Sequence, residues 1–162
     1  MNSLFMNLAR IVFLRGGPQN LPGSWLLTIV LLMVYLVQIF MHGQQLEDVN
    51  ATTKSLLSIS LQILVLTGLL YWRRHMERFM QTLSAFVGVG IVFNAITWVL
   101  LLQSGPASSL LALTWFGVFI WSLFVDAHIY RNSLSVSLSS GMLISVLTLA
   151  ANYLLIDSLF SA

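Results

Sequence analysis

The stretch SWLLTIVLLMVYLVQIFM, residues 24–41, decides the fold class of this 162-residue chain. It contains no charged residue, and Tyr35 and Gln38 are its notable polar exceptions. About 20 apolar residues in helical conformation cross a hydrocarbon core of about 30 Å. The stretch is therefore typical of a membrane-spanning helix, with Trp25 as an aromatic anchor at the interface.

The composition of the whole chain agrees with this interpretation. Hydrophobic residues make up 58% of the chain and charged residues only 7%, whereas soluble domains have about 25% charged residues. So few charges cannot cover the surface of a soluble protein. The first predicted partner of the chain is therefore the lipid bilayer. The chain has no cysteine, which excludes disulfides and thiolate chemistry. Its few basic residues lie at the ends of apolar runs, which excludes nucleic acid as a partner.

Four further apolar stretches follow the first. We predict an all-α integral membrane bundle of five transmembrane helices, forming one domain over residues 21–162. The predicted spans are 24–41, 55–72, 79–102, 109–127 and 138–159. A loop is predicted between the last two spans, from Asp126 to Ser137.

Residues 1–20 form a separate N-terminal segment. Leu4, Leu8 and Ile11 recur at helical spacing, which predicts a short helix lying in the membrane interface. The alternative is that this apolar terminus packs on its own bundle. Gly16, Gly17 and Pro18 end the segment before the first span.

The distribution of cations predicts the orientation, because cytoplasmic loops are enriched in Lys and Arg. If the N-terminus is cytoplasmic, six of the seven cations lie inside, namely Arg10, Arg15, Arg73, Arg74, Arg78 and Arg131. Only Lys54 then lies outside. We predict a multi-pass protein of the inner (plasma) membrane with the N-terminus inside and the C-terminus outside.

Polar side chains at membrane depth are the first group of candidate site residues, because each needs a partner there. They are Gln62, Asn94, Thr97, Ser145, Thr148 and Asn152. One interpretation is a polar path or small ligand site between spans three and five. The other is interhelical hydrogen bonding, which contributes about 0.6 kcal/mol per bond in membrane proteins. The spacing of Ser84 with Gly88, and of Ser137 with Gly141 and Ser145, predicts close helix packing within the chain.

The second group of candidates lies at the predicted inner face. It consists of Arg73, Arg74, Arg78, Asp126, His128 and Arg131. These residues could bind lipid headgroups or act as an acid–base cluster. The alternative is an ion-pair network in the loops that fixes the topology. No metal site, cofactor site or catalytic motif is predicted, because no ligand pattern adjoins His75 and His128.

The segment FLRGGPQNLPGS, Phe13 to Ser24, precedes five predicted spans. In this layout the chain resembles the Yip (Ypt-interacting protein) family, and its short bacterial members in particular. The resemblance implies an inner-membrane protein that acts in membrane organisation or protein interaction. It implies no catalytic residue.

Three functions are compatible with the sequence. The first is a non-enzymatic scaffold or accessory subunit, with protein partners or a second copy of the chain in the membrane. The second is a carrier of a small or lipidic solute. The third is a lipid-modifying enzyme using Asp126 and His128. It is disfavoured because metal-dependent headgroup chemistry needs more carboxylates than this face offers.

The predicted orientation can be tested with reporters fused after Ala162. An odd number of spans places the two termini on opposite sides of the membrane. A phosphatase fused there should therefore be active, and a fluorescent protein that matures only in the cytoplasm should be dark. A C-terminal reporter that behaves as cytoplasmic would contradict the span count or the orientation.

Overall fold

The fold is a bundle of five long helices with a short helix at its N-terminus. The computed structural model describes residues 2–44, 49–102 and 109–160. Within these ranges there is no strand, and five helices are long and apolar enough to cross a membrane. The predicted all-α membrane bundle is thus confirmed. The helices are α1 (Asn2–Val12), α2 (Trp25–Gly43), α3 (Ala51–Trp72), α4 (Phe79–Leu102), α5 (Ser109–Leu134) and α6 (Leu138–Phe160), with 3₁₀ turns at Pro18–Asn20 and Met76–Arg78.

The end of the fourth span differs from the sequence interpretation. We expected the span to end at Ala127 and a loop to follow, but α5 continues to Leu134. The polar residues of this stretch indicated a loop because charges are rare inside spans. In the structure they remain helical because neighbouring elements of the chain pack around them. Val125, Ala127, Ile129 and other residues of this last part of α5 are fully buried.

Helix α4 is the centre of the bundle. Its residues 82–89 are all buried, whereas α2, α3 and α6 have few buried residues and much exposed apolar surface. Helix α2 packs along α4, and α5 lies on another side. Helix α6 packs mainly on α5 and also on α3.

Hydroxyl pairs join the central helix to its two neighbours near the helix ends that hold most of the arginines. The hydroxyls of Thr28 on α2 and Ser84 on α4 are 2.8 Å apart. The Thr82 hydroxyl donates to the Ser133 hydroxyl on α5 at 2.9 Å. All four residues are buried, so these pairs satisfy polar groups where lipid could not.

The N-terminal segment packs on the bundle, and the location of its helix in the membrane interface stays a prediction. Leu8, Ile11 and Val12 are buried against the hydrophobic core, and α1 lies beside α4 and α5. Gly88 makes this approach possible, because a Cβ at that position would overlap the Leu8 side chain. The other face of α1 exposes apolar residues, with Phe5 68% exposed, which suits contact with lipid.

Three helices end at the same side of the bundle and use the same turn. Leu14, Arg74 and Ser135, just after α1, α3 and α5, all have positive φ, between 53° and 59°. At each turn the next amide donates to a carbonyl five residues earlier, as Val136 does to Arg131 at 3.1 Å. This αL termination satisfies helix carbonyls and reverses the chain within a few residues. We call this side the arginine end.

The packing of α6 on α5 depends on Gly141. A Cβ at position 141 would overlap the backbone carbonyl of Ala127 on α5. Ser145, one turn further along α6, is also buried and donates to the carbonyl of Leu123 at 3.4 Å. For Gly88, Gly141 and Ser145, the small-residue spacing therefore does serve packing within the chain.

Gly141→Ala should lower the stability of the bundle by about 1–3 kcal/mol, because a helix backbone cannot yield as a side chain can. The change can be measured by unfolding the purified protein with increasing SDS in mixed micelles. Gly117→Ala is the matched control, since no atom lies within 4 Å of a Cβ there. Equal effects of the two variants would contradict the importance of close packing at Gly141.

Candidate intramembrane cavity

The interior of the bundle contains a cavity of about 320 Å³ to which all five spanning helices contribute. Its wall is apolar in part, from residues such as Leu32, Ile59 and Phe93. Eight polar side chains also face it: Tyr35, Ser55, Ser58, Gln62, Asn94, Ser122, Asp126 and Asn152. Pockets with apolar walls and a few convergent polar groups are the usual form of small-molecule sites.

Asp126 is the one ionisable carboxylate among these lining residues. It lies in α5 eight residues before Leu134, about 12 Å from the helix end at 1.5 Å per residue. No Lys, Arg or His lines the cavity. Among the described residues, no cation lies within ion-pair distance of Asp126 either. A carboxylate at this depth without a cationic partner is a strong indication of a functional site.

Two tyrosines lie near this carboxylate. Asp126 interacts electrostatically with the hydroxyls of both Tyr35 and Tyr130. Asn94 on α4 lines the same cavity as Tyr35 and Asp126. Gly90 leaves room for the Tyr35 ring, because a Cβ there would lie 3.0 Å from the ring carbon Cε2. The wall that contains the carboxylate thus also carries hydroxyl and amide groups.

The remaining polar groups of the wall are held by hydrogen bonds between helices. Ser58 on α3 donates to Asn152 Oδ1 on α6 at 2.9 Å. Gln62 Nε2 donates to the Tyr130 hydroxyl at 3.3 Å. Tyr130 is fully buried, with its ring 4.9 Å from that of Phe86. These bonds fix the positions of the polar groups without filling the cavity.

The cavity lies near the middle of the bundle. On α3 its lining runs from Ser55 to Ile63, in the half far from the arginines. On α4 the lining begins at Leu83 and on α5 it includes Asp126, and both lie in the half nearer the arginine end. At the arginine end the N-terminal segment packs against α4 and α5. There His128 Nε2 lies 2.9 Å from the Gly16 carbonyl, and Gln81 donates to the Leu21 carbonyl at 3.1 Å.

Of the intramembrane candidates from the sequence, Gln62, Asn94 and Asn152 line the cavity and the other three do not. Thr97 donates to the Asn94 carbonyl, one turn before it in the same helix. Thr148 donates to the Ile144 carbonyl and is buried. Ser145, as described above, is part of the α5–α6 contact.

The expected path between spans three and five needs correction. Those spans are α4 and α6, and they do not form a substantial helix pair in the described structure. Asn94 and Asn152 instead face one cavity to which all five spans contribute. A one-sided polar face on each helix indicated direct pairing, but such faces can equally line a shared cavity.

The inner-face candidates do not form one cluster. Arg78 donates to the carbonyls of Asn132 and Ser133 and to the Ser135 hydroxyl, at 3.0–3.3 Å. Arg73 donates to the Leu134 carbonyl at 3.3 Å. These two arginines therefore cap the last turn of α5, where unsatisfied carbonyls and the helix dipole attract cations.

The other four candidates lie apart. Arg74 and Arg131 are exposed. His128 is buried beside Gly16, and Asp126 lines the cavity. The described ion pairs at this end are those of Glu77, which lies 3.2 Å from His75 and 3.8 Å from Arg78. Asp126 and His128 thus serve different parts of the molecule.

The sequence interpretation missed Tyr35, Ser55, Ser58 and Ser122 as wall residues. Serine and tyrosine are common in spans, so their identity alone gave no signal. Asp126 was noticed but assigned to a loop. If the fourth span had been predicted to continue to Leu134, Asp126 would have been placed at membrane depth.

Within the described ranges, no three His, Cys, Asp or Glu residues are grouped as metal ligands would be. Comparisons with protein-family models, with curated proteins and with solved structures found no match to this chain. The resemblance to the Yip family therefore stays a prediction, and the class of protein that the fold defines is a five-helix integral membrane protein.

Arg78→Gln should destabilise the protein by about 1–2 kcal/mol, because three acceptors at the end of α5 lose a charged donor. Arg74→Gln removes the same charge from an exposed position and should change stability by less than about 0.5 kcal/mol. Thermal unfolding of both purified variants in one detergent would measure the difference. If both variants unfold alike, Arg78 acts through net charge and not as a cap.

Proposed function

We propose that this protein is a non-enzymatic carrier of the inner (plasma) membrane that binds a small solute in the cavity. The observation that supports this most is the convergence of polar side chains from all five spans on a single cavity. Helices that only pack together fill the space between them to high density. A volume of 320 Å³, by contrast, has room for roughly ten water molecules at about 30 Å³ each.

The position of the N-terminal segment favours a carrier rather than a protein with a fixed pocket. A carrier opens its site to one side of the membrane at a time, while the other side is closed. Here the N-terminal segment packs on α4 and α5 at the arginine end, and the cavity lies near the middle of the bundle. The segment is attached by a few polar bonds, including that of Gly16 with His128, and by Leu8, Ile11 and Val12. We infer that its displacement opens the arginine end.

The two other functions receive less support. The lipid-modifying enzyme requires Asp126 and His128 in one site, whereas they face the cavity and the Gly16 carbonyl respectively. A scaffold requires an exposed surface that binds another protein and that contact with lipid alone does not explain. The exposed surface of α2, with Leu26, Met33 and Val37, is what contact with lipid requires. A role in membrane organisation, which the Yip resemblance implies, stays a prediction.

Introduced cysteines test the carrier without knowledge of its solute, because the natural chain contains none. Ser58→Cys places a thiol in the cavity wall, and Ser122→Cys places a second one on α5. A charged thiosulfonate reagent reacts with the thiolate, which forms in water and not in lipid. In a carrier, both cysteines should react in right-side-out vesicles and in inside-out vesicles.

Ser60→Cys is the control, since Ser60 lies in the same helix but is exposed on the outside of the bundle. It should react at least about tenfold more slowly, because the lipid around it disfavours the thiolate. Reaction of Ser58→Cys and Ser122→Cys from one side only would contradict a carrier and indicate a fixed pocket. No reaction from either side would indicate a dry interior.

A further inference from the structure

We propose that the ligand of the cavity is a small organic cation, with an ammonium group recognised by Asp126 and an apolar part held by the surrounding wall. This inference rests on the proposed function, because it names the class of solute that the same cavity takes. It depends on three features of the wall: its charge, its hydrogen-bonding groups and its shape.

The charge of the wall is the first feature. Asp126 is its only ionisable carboxylate, and it is not balanced by any Lys, Arg or His in the lining. At membrane depth, an ionised carboxylate is costly unless a cation accompanies it. A cationic ligand supplies that partner, whereas an anion would add a second unbalanced charge. The wall therefore selects positive charge and rejects negative charge.

The hydrogen-bonding groups near the carboxylate suit an ammonium. The hydroxyls of Tyr35 and Ser122 and the amide oxygen of Asn94 can each accept a hydrogen bond from a ligand N–H. All three belong to residues of the lining. Asn152 Oδ1 already accepts from Ser58, so it is less available to a ligand than these three acceptors.

The rest of the wall favours an organic cation over a hydrated metal ion. Phe86, Phe93 and the Tyr35 ring line the cavity, and aromatic faces attract cations within about 6 Å. Aliphatic side chains such as Leu32, Ile59 and Val87 form much of the remaining surface. An inorganic ion would leave this apolar surface unmatched. The volume of 320 Å³ lies at the lower end of the range for small-molecule pockets.

The test uses three probes of the same size and different charge: benzylammonium, benzyl alcohol and benzoate. Each is titrated into the purified full-length protein in a nonionic detergent, and binding is measured by calorimetry and by the shift in Tm. We expect saturable binding of benzylammonium, much weaker binding of benzyl alcohol and none of benzoate. Sodium chloride at matched concentration is a fourth arm and should not shift the Tm.

Asp126→Asn keeps the size of the side chain and removes its charge. It should weaken benzylammonium binding about thirtyfold or more, the usual effect of removing one partner of a buried charge pair. Asp157→Asn is the matched control, because Asp157 is an exposed carboxylate on α6 outside the cavity lining. It should bind as the natural protein does. Asp126→Glu keeps the charge and should retain the preference for the cation, which guards against a folding defect in the asparagine variant.

The binding test and the cysteine test have independent outcomes, so the cation site and the carrier function can fail separately. Equal binding of benzyl alcohol and benzylammonium, or unchanged binding in Asp126→Asn, would overturn cation recognition while a two-sided cysteine reaction still supports a carrier. Preferential binding of benzoate, a shift by sodium alone, or no binding of any probe would also overturn it. One-sided or absent cysteine labelling combined with benzylammonium binding that depends on Asp126 would instead support the cation site and contradict transport.

Discussion

Lipid offers no hydrogen bonds, and this constraint explains most of the structure. Every polar group at membrane depth must find its partner inside the chain, which is why the spans are helices. Thr28 with Ser84 and Thr82 with Ser133 show the same rule for side chains, since each pair satisfies two buried hydroxyls between neighbouring helices. At the helix ends, Arg78 satisfies carbonyls of α5 that have no further turn to bind them.

The same constraint makes the cavity exceptional. Between α4 and its neighbours, polar groups such as Thr28 and Ser84 meet each other directly. Around Asp126 they are arranged about a volume that protein atoms do not fill. The N-terminal segment packs on α4 and α5 at the arginine end, where Leu8 fits against Gly88. The segment that resembled an interfacial anchor in the sequence thus contributes to the packing of the bundle.

The sequence predicted part of the candidate site, and the reasons for its partial success are physical. Gln62, Asn94 and Asn152 were found because amides are costly inside a span and therefore conspicuous. Asp126 was misplaced because a charge is usually read as the end of a span. In α5 the chain itself surrounds that region, so the helix continues to Leu134. Arg73 and Arg78 fitted the expected pattern of charge, but their role as caps depends on the position of α5.

The sequence by itself determined the number of spanning helices and their approximate positions, because a continuous apolar run of this length has no stable place outside a membrane. The uneven distribution of arginines along the chain likewise set the expected orientation. Only the tertiary structure decided which helices are neighbours, that α4 lies at the centre, and that five separate helices turn polar side chains toward one cavity. Helix spacing defines the faces of a single helix. Which helix faces meet each other depends on close approach at positions such as Gly141. It therefore depends on contacts between residues that are far apart in the chain.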